Sequence, residues 1–226
     1  AEQYGGFRLG ALLGSGEKNG WAGRLAIQRY SNDGFIDNHW LNRDDTNGRN
    51  EVTSRASAQW KHDKGIISGA LYYTRIDNGY DTFSLDNTRF TLSDEPGEDD
   101  LTLKAGRINW ERNLGEKLLF IQLSHAKIDT TYSYDEDWSF VGISPGWEYS
   151  SFDQYSRARD MSSIEARLRS DATDSINWVV GTFLRDQSVN LLRQYTYLPN
   201  PFGSSFDTQT VAIFGQADKN ITAKIQ

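Results

Sequence analysis

The 226-residue sequence alternates short turns with long, acidic, aromatic-rich loops, and this alternation constrains the fold most. Turn signals recur at a period of about 50 residues, so each repeat holds one hairpin and one long excursion. The four predicted turns are residues 15–20, 63–65, 114–116 and 173–175. The repeat predicts an all-β, antiparallel up-and-down meander with short connections at one rim and long loops at the other.

Two segments alternate polar and apolar residues with the period of a β-strand. In the first, one parity carries Val52, Ser54, Ala56, Ala58 and Trp60. In the second, Ile164, Ala166 and Leu168 alternate with Glu165, Arg167 and Arg169. We therefore expect about nine strands, with one lipid-compatible surface and one wet surface on which Glu165, Arg167 and Arg169 face a lumen.

One segment breaks this alternation. Leu103 and Ala105 share one parity, whereas Ile108 and Trp110 share the other. The change of parity requires either a β-bulge between them or a different assignment of this strand.

Tryptophan placement favours a membrane barrel over a soluble sandwich. Trp21, Trp60, Trp110 and Trp178 each lie within about five residues of a predicted short turn, as an interfacial aromatic girdle requires. Large aromatic residues also cap strand ends in soluble sheets, but a sandwich has no reason to place one Trp at every turn of one rim. The predicted architecture is therefore a large transmembrane β-barrel. Its strands would cross the membrane without being detected by hydropathy, because they alternate polar and apolar residues.

The long loops hold most of the acidic residues. Residues 31–50, 77–100 and 133–157 contain 17 Asp or Glu and 4 Lys or Arg. Such a rim attracts cations, although solvated acidic loops are an equally good explanation. The loop aromatics Trp40, Trp138, Trp147 and Tyr149 are the candidate ligand-binding residues, because their flat rings can stack on a chelate or a sugar.

The residues give no pattern for catalysis, a metal or a cofactor, so we predict no enzyme, no metal site and no cofactor. The glycines near the start match neither a dinucleotide fingerprint nor a phosphate-binding loop. In an EF-hand reading, Gly48 in the sixth position puts Arg43 in the first ligand position, which excludes it. The three histidines lie far apart in the meander, and the absence of cysteine excludes thiolate chemistry. Nothing indicates nucleic-acid binding.

Several segments resemble the barrel of TonB-dependent outer-membrane receptors. The most specific is DGFIDNHWLNRDDTNGRNE at residues 33–51. Supporting segments are SSIEARLRSD at 162–171, NWVVGTFLRDQ at 177–187 and VAIFGQADKNIT at 211–222. The resemblance covers nearly the whole chain and implies that residues 1–226 are a partial β-barrel domain of such a receptor.

The resemblance also implies location, partners and cargo. It implies a bacterial outer-membrane protein in contact with lipid, importing a scarce ligand, most often a ferric siderophore, with energy from the TonB complex acting through a plug domain. A plug and a terminal aromatic residue are not seen in this sequence, so we expect a fragment of a 22-stranded barrel. The alternative is a soluble carbohydrate-binding or adhesin-like β-domain, in which the same loop aromatics form a sugar platform.

Overall fold

The computed structural model describes residues 4–171 and 176–219, and its long strands form one antiparallel sheet of nine. The strands are β1 (Phe7–Gly14), β2 (Trp21–Asn32), β4 (Arg49–His62), β5 (Gly65–Tyr80), β7 (Gly97–Asn113), β8 (Lys117–Asp135), β9 (Phe152–Ser170), β10 (Ile176–Tyr195) and β11 (Phe202–Lys219). The two-residue strands β3 (Asp37–Asn38) and β6 (Phe90–Thr91) pair in parallel within the loops. The predicted all-β meander of about nine strands is confirmed.

Each strand of the large sheet pairs with its predecessor and its successor, so the order in space is the order in the chain. Short connections join β1 to β2, β4 to β5 and β7 to β8 at one rim, as predicted. The fourth predicted turn, residues 173–175, lies outside the described residues. Among the residues described, β1 and β11 each have one neighbour in the sheet. No helix in residues 4–171 or 176–219 has the length and apolarity to cross a membrane.

The strand register sorts side chains onto two unlike faces, because directly paired residues of antiparallel strands point the same way. One row of partners reads Gly23, Ala58, Gly69, Ile108, Leu123, Ile164, Leu184 and Val211. The adjacent row, on the other side, reads Arg24, Ser57, Ala70, Arg107, Ser124, Ser163, Arg185 and Thr210. We call the surfaces that carry these rows the apolar face and the polar face.

Strand β7 contains no bulge. Its pairing with β5 and with β8 is continuous, so Ile108 and Trp110 lie on the apolar face and Leu103 and Ala105 on the polar face. The change of parity in the sequence therefore arises because β7 carries apolar residues on the polar face in its loop-side half. It does not arise from an additional residue in the strand.

The four tryptophans near the short turns all lie on the apolar face. Trp21 and Trp60 are direct partners with stacked rings, 5.6 Å between centroids and 12° between planes. The same row continues through Ile67 to Trp110, while Trp178 on β10 pairs with Ala217. A row of tryptophans at the short-turn end of an apolar face matches the girdle expected at a membrane interface.

Candidate ligand-binding site

Three long loops form a packed cluster at the rim opposite the short turns. We call them loop 1 (residues 33–48), loop 2 (81–96) and loop 3 (136–151), and together the loop cluster. Buried residues in this chain concentrate there, including Ile36, Thr46, Asp81 and Ser139. Most of the buried residues in the described part of the chain thus lie at the rim that carries the candidate ligand residues.

A buried polar network joins loop 1 to loop 2. The Asn38 amide nitrogen, fully buried, donates to an Asp81 carboxylate oxygen and to the Ser93 carbonyl, both at 2.8 Å. The Thr91 hydroxyl donates to the same Asp81 oxygen at 2.8 Å. Because a buried polar group is stable only when it is hydrogen-bonded, this network fixes the two loops against each other.

Loop 2 is joined to loop 3 by carboxylates that accept from backbone amides. Asp94 accepts from the Val141 N–H at 3.2 Å, and the Asp94 N–H donates to the Ser139 carbonyl at 3.0 Å. Asp137 accepts from the N–H groups of Ser139 at 3.1 Å and Ser151 at 2.8 Å, closing loop 3 on itself. The acids of these loops therefore hold backbone in place as well as giving the rim its charge.

Asp135 holds Trp138 in an unusual conformation. One Asp135 oxygen accepts from the N–H groups of Asp137 and Trp138, both at 3.1 Å. Trp138 has φ of 58°, in the left-handed region that large residues seldom occupy. Burial, together with the nearby charges of Asp137 and Asp94, raises the pKa of Asp135 to about 7. Strained backbone held by a buried acid is a common feature of functional loops.

Two of the four candidate aromatics are stacked across the loop cluster. Trp40 of loop 1 lies flat on Phe140 of loop 3, with ring centroids 3.8 Å apart and planes at 5°. Trp138 stacks on Phe83 of loop 2 at 5.1 Å and 14°. Each indole thus has one ring face covered by a neighbouring loop, so both residues support loop packing as well as offering surface to a ligand.

The other two candidates form a separate pair. Trp147 and Tyr149 stack on each other within loop 3, at 6.1 Å and 25°, and are 41% and 43% exposed. Across the described residues, no ring contact joins this pair to Trp40 or Trp138. The structure thus divides the four candidates into two indoles that stack on neighbouring loops and one pair that stacks within loop 3.

The structure adds residues that the sequence did not single out. Phe83 and Phe140 supply the stacking partners, and no local pattern distinguishes them from other loop aromatics. At the base of loop 3, Arg193 donates to both oxygens of the buried Asp153, at 2.9 and 2.7 Å. Burial alone would raise the pKa of Asp153, but Arg193 and the Tyr155 hydroxyl lower it below the ordinary range.

The predicted lumen residues lie together on the polar face, opposite Ile164 and Ala166. The Arg167 Nε lies 2.8 Å from a Glu165 oxygen, and its guanidinium sits 4.4 Å from the Phe120 ring centroid. Arg169 is exposed on the same face. Farther along that face, a groove of about 670 Å³ is lined by Thr53, Arg55, Tyr72 and Leu103, among others.

The acidic side chains do not form a metal centre in the part of the chain that the structure describes. No group of three or more His, Asp or Glu within residues 4–171 and 176–219 is arranged to hold a metal ion. The site is instead a rim of stacked aromatics and carboxylates, suited to binding a ligand by stacking and hydrogen bonds.

A solved receptor structure shares this fold. The chain is similar to BauA, the ferric preacinetobactin receptor from Acinetobacter baumannii, with 12% identity and a TM-score of 0.60, over 95% of this chain and 40% of that one. It also matches the ferric yersiniabactin uptake receptor FyuA from Yersinia pestis (13% identity, TM-score 0.47, 98% and 43%). A third match is the siderophore receptor PiuA from Acinetobacter baumannii (12%, 0.48, 93% and 44%).

The likeness to BauA is a likeness of fold. No model of a known protein family matches the sequence, and no curated protein matches it. The chain spans about two fifths of the length of the receptor it resembles at a TM-score of 0.60. Its nine-stranded sheet has the fold of part of the β-barrel of a TonB-dependent receptor, as the sequence resemblance predicts.

Proposed function

We propose that this chain is part of the barrel domain of a bacterial outer-membrane, TonB-dependent receptor that imports a scarce ligand. One observation carries the proposal. The sheet has a polar face and an apolar face, with a row of tryptophans at the short-turn rim of the apolar face, and its opposite rim carries aromatic loops that stack on one another. The apolar face suits lipid, the polar face suits a lumen, and the loops suit ligand capture outside the cell.

A ferric siderophore is the proposed ligand class. BauA, which shares the fold, is named as a ferric preacinetobactin receptor. The loop cluster offers flat aromatic surface for the planar groups of a chelator, and its acids attract cationic ligands. Trp40, Trp147 and Tyr149 are 50%, 41% and 43% exposed and Trp138 is 38% exposed, so each of the four offers surface to a ligand. Trp147 and Tyr149 stack only on each other, whereas Trp40 and Trp138 stack on neighbouring loops. Glu165, Arg167 and Arg169 would line the lumen below.

Energy for import would come from the TonB complex acting through a plug domain, because a binding loop has no source of work of its own. The chain's own contribution is the wall and the loops. In this proposal residues 1–226 are one partial barrel domain, and the wall is surrounded by outer-membrane lipid.

Ligand binding by the full-length parent protein tests the loop assignment. We expect Trp147→Ala to weaken binding of an iron-55-labelled ferric chelate by roughly 1–3 kcal/mol, the usual cost of losing an aromatic anchor. Trp21→Ala is the matched control, since Trp21 is also exposed but lies at the short-turn rim. Catecholate and hydroxamate chelates should be tried separately. Equal affinity of the Trp147 variant and the control for every chelate bound by the parent would refute the loop assignment.

A soluble carbohydrate-binding domain is the second candidate, favoured by the exposed Trp147–Tyr149 stack. Sugar rings bind such aromatic platforms through their apolar faces. The apolar face of the sheet argues against it, because Leu71, Val211 and Ile213 are 66%, 74% and 83% exposed. Recovery of the full-length parent in the soluble fraction, with binding to polysaccharide and none to ferric chelates, would favour the sugar-binding domain.

A further inference from the structure

A groove crosses the apolar face on strands β5, β7 and β8. Its volume is about 610 Å³, and Gly106 lies at its centre between Leu71, Ile108 and Leu123. A Cβ built on Gly106 would lie 3.1 Å from a Leu71 methyl carbon, so even a small side chain here would begin to fill the groove. Leu71, Ile108 and Leu123 make most of the groove apolar on this face, with His125 beside Gly106, and the apolar part suits a hydrocarbon chain.

Two lysines lie at the loop-side end of this groove. Lys104 of β7 and Lys127 of β8 are direct cross-strand partners on the apolar face, with Cβ atoms about 5 Å apart by the geometry of such pairs. Like charges directly opposite each other destabilise a sheet. Arg75 adds a third positive charge on the neighbouring strand β5, two residues beyond Tyr73, the partner of Lys104.

The acidic residues near Lys104 and Lys127 do not form ion pairs with these lysines. Asp160 is the cross-strand partner of Lys127, yet its carboxylate lies 3.7 Å from His125 Nδ1. Arg75 lies 3.5 Å from Asp77, with both side chains at least half exposed. Within residues 4–171 and 176–219, neither Lys104 nor Lys127 forms an ion pair.

We propose that the outward surface at Lys104 and Lys127 is a binding site for a phosphorylated lipid. The phosphate would lie between the two ammonium groups, and one acyl chain would lie in the groove over Gly106. This inference rests on the proposed membrane-spanning wall and adds a lipid site that ligand import does not require.

Charge and position together favour a lipid as the source of the phosphate. The row directly below the lysines holds Gly106, His125 and Ser162, and the next row down is apolar, with Ile108, Leu123 and Ile164. Above the lysines the face carries Arg75, Asp129 and Asp77, so the lysines lie near the boundary between hydrocarbon and headgroups. A phosphate between the lysines relieves their repulsion and accepts charge-assisted hydrogen bonds from both. Inorganic phosphate would gain the same contacts, but it would leave the groove empty.

Native mass spectrometry of the full-length parent, released from detergent micelles, tests the site with dioleoyl phosphatidic acid as the probe. Dioleoylglycerol has the same chains without the phosphate, and inorganic phosphate serves as a competitor. We expect the Lys104→Gln/Lys127→Gln double variant to lose affinity for phosphatidic acid by about tenfold and to keep its affinity for dioleoylglycerol. Inorganic phosphate at equal concentration should not displace the lipid.

Two further variants separate binding from sheet stability. Lys104→Glu converts the repelling pair to an attractive one, so the sheet should be at least as stable while phosphatidic acid binding is lost. Gly106→Leu fills the groove and should weaken both lipids. Lys64→Gln/Lys117→Gln removes two charges near the short turns and is the matched control.

The outcomes distinguish the site from the proposed barrel. Equal phosphatidic acid binding by the parent, the double variant and the control would overturn the lipid site while leaving the barrel intact. Displacement by inorganic phosphate would show a simple anion site and would also overturn it. A parent that does not enter detergent micelles would instead contradict the membrane-spanning wall.

Discussion

At the residue scale, two buried aspartates near loop 3 differ in their partners. The Asp153 carboxylate accepts hydrogen bonds from Nε and Nη2 of Arg193 and from the Tyr155 hydroxyl. Asp135 is 5% exposed, and the charges that act on it are those of two other carboxylates, Asp137 and Asp94. A paired carboxylate is stable when charged, whereas a buried carboxylate without a cation favours its proton. The two residues should therefore respond to mutation and pH in different ways.

Removing the Arg193 partner should loosen the base of loop 3. Arg193→Ala leaves a buried carboxylate with only hydroxyl donors, so we expect a clear loss of local stability at the base of loop 3. Arg43→Ala is the control, since the Arg43–Asp45 pair is about half exposed and should contribute under about 1 kcal/mol. The local opening free energy of the Thr196 amide, which donates to the Phe152 carbonyl, reports the effect by hydrogen exchange. Equal exchange in both variants would show that the Asp153 pair does not stabilise the loop.

The raised pKa of Asp135 should make loop 3 sensitive to pH. The folded carboxyl keeps its proton up to about pH 7, while the unfolded carboxyl loses it near pH 4, so the folded state binds more protons between these values. Stability is therefore greatest at low pH and falls as pH rises through this window. Hydrogen exchange of the Trp138 amide, corrected for intrinsic rates, should show more protection at about pH 5 than at about pH 8.

Asp135→Asn tests the origin of that pH dependence. The amide oxygen keeps the acceptor for the Asp137 and Trp138 N–H groups but does not titrate, so the protection should become independent of pH. Asp86 is an exposed residue of loop 2, so the control variant Asp86→Asn should leave the pH dependence intact. A persistent pH dependence in the Asp135 variant would assign it to another group.

At the element scale, the strands could be predicted from the sequence because their signal is local. Alternation in residues 52–60 and 164–169 needs only neighbouring positions, and the structure places these side chains on opposite faces as predicted. Strand β7 was ambiguous because Leu103 and Ala105 are apolar residues on the polar face. Single-strand periodicity cannot detect this, whereas the register with β5 and β8 does.

The loop cluster could not be predicted in the same way. The Trp40–Phe140 stack and the Asn38–Asp81 hydrogen bond join residues that are far apart in the chain, and nothing in the local sequence pairs them. Composition identified the loop aromatics as candidates, but only the structure separates the indoles that stack on neighbouring loops from the Trp147–Tyr149 pair. Asp153 and Arg193 were missed because each resembles any other charged residue at a strand end.

An arginine scan on β9 tests the assignment of the two faces. Ala166 lies between Ile121 and Thr182 on the apolar face, so Ala166→Arg should destabilise the full-length parent refolded into lipid vesicles, at a cost that rises to about 2–4 kcal/mol toward the bilayer midplane. Glu165→Arg, on the polar face, loses a part-exposed ion pair with Arg167 and should cost under about 1 kcal/mol. Urea titration of vesicle-inserted protein measures both. Similar costs at the two positions would mean that the faces are assigned wrongly.

At the scale of the whole molecule, the sheet has two open borders and one apolar surface. Strands β1 and β11 each pair on one side only in the described structure, and most of their residues are exposed. Unpaired backbone groups at a border can bond to water but not to lipid. Leu9 and Leu13 on β1 and Val211 and Ile213 on β11 extend the apolar face to both borders. By itself such a sheet suits neither water nor a bilayer, which supports the proposal that it is part of a closed wall.

Light scattering coupled to size-exclusion chromatography of the isolated 226 residues tests the central claim, that this sheet is part of a membrane barrel wall. In buffer without detergent we expect no monodisperse monomer, because the apolar face and the two open borders associate between molecules. Melting followed by circular dichroism should show no cooperative transition from a monomer. A sharp monomeric peak that melts cooperatively without detergent would contradict the barrel wall and would favour the soluble β-domain.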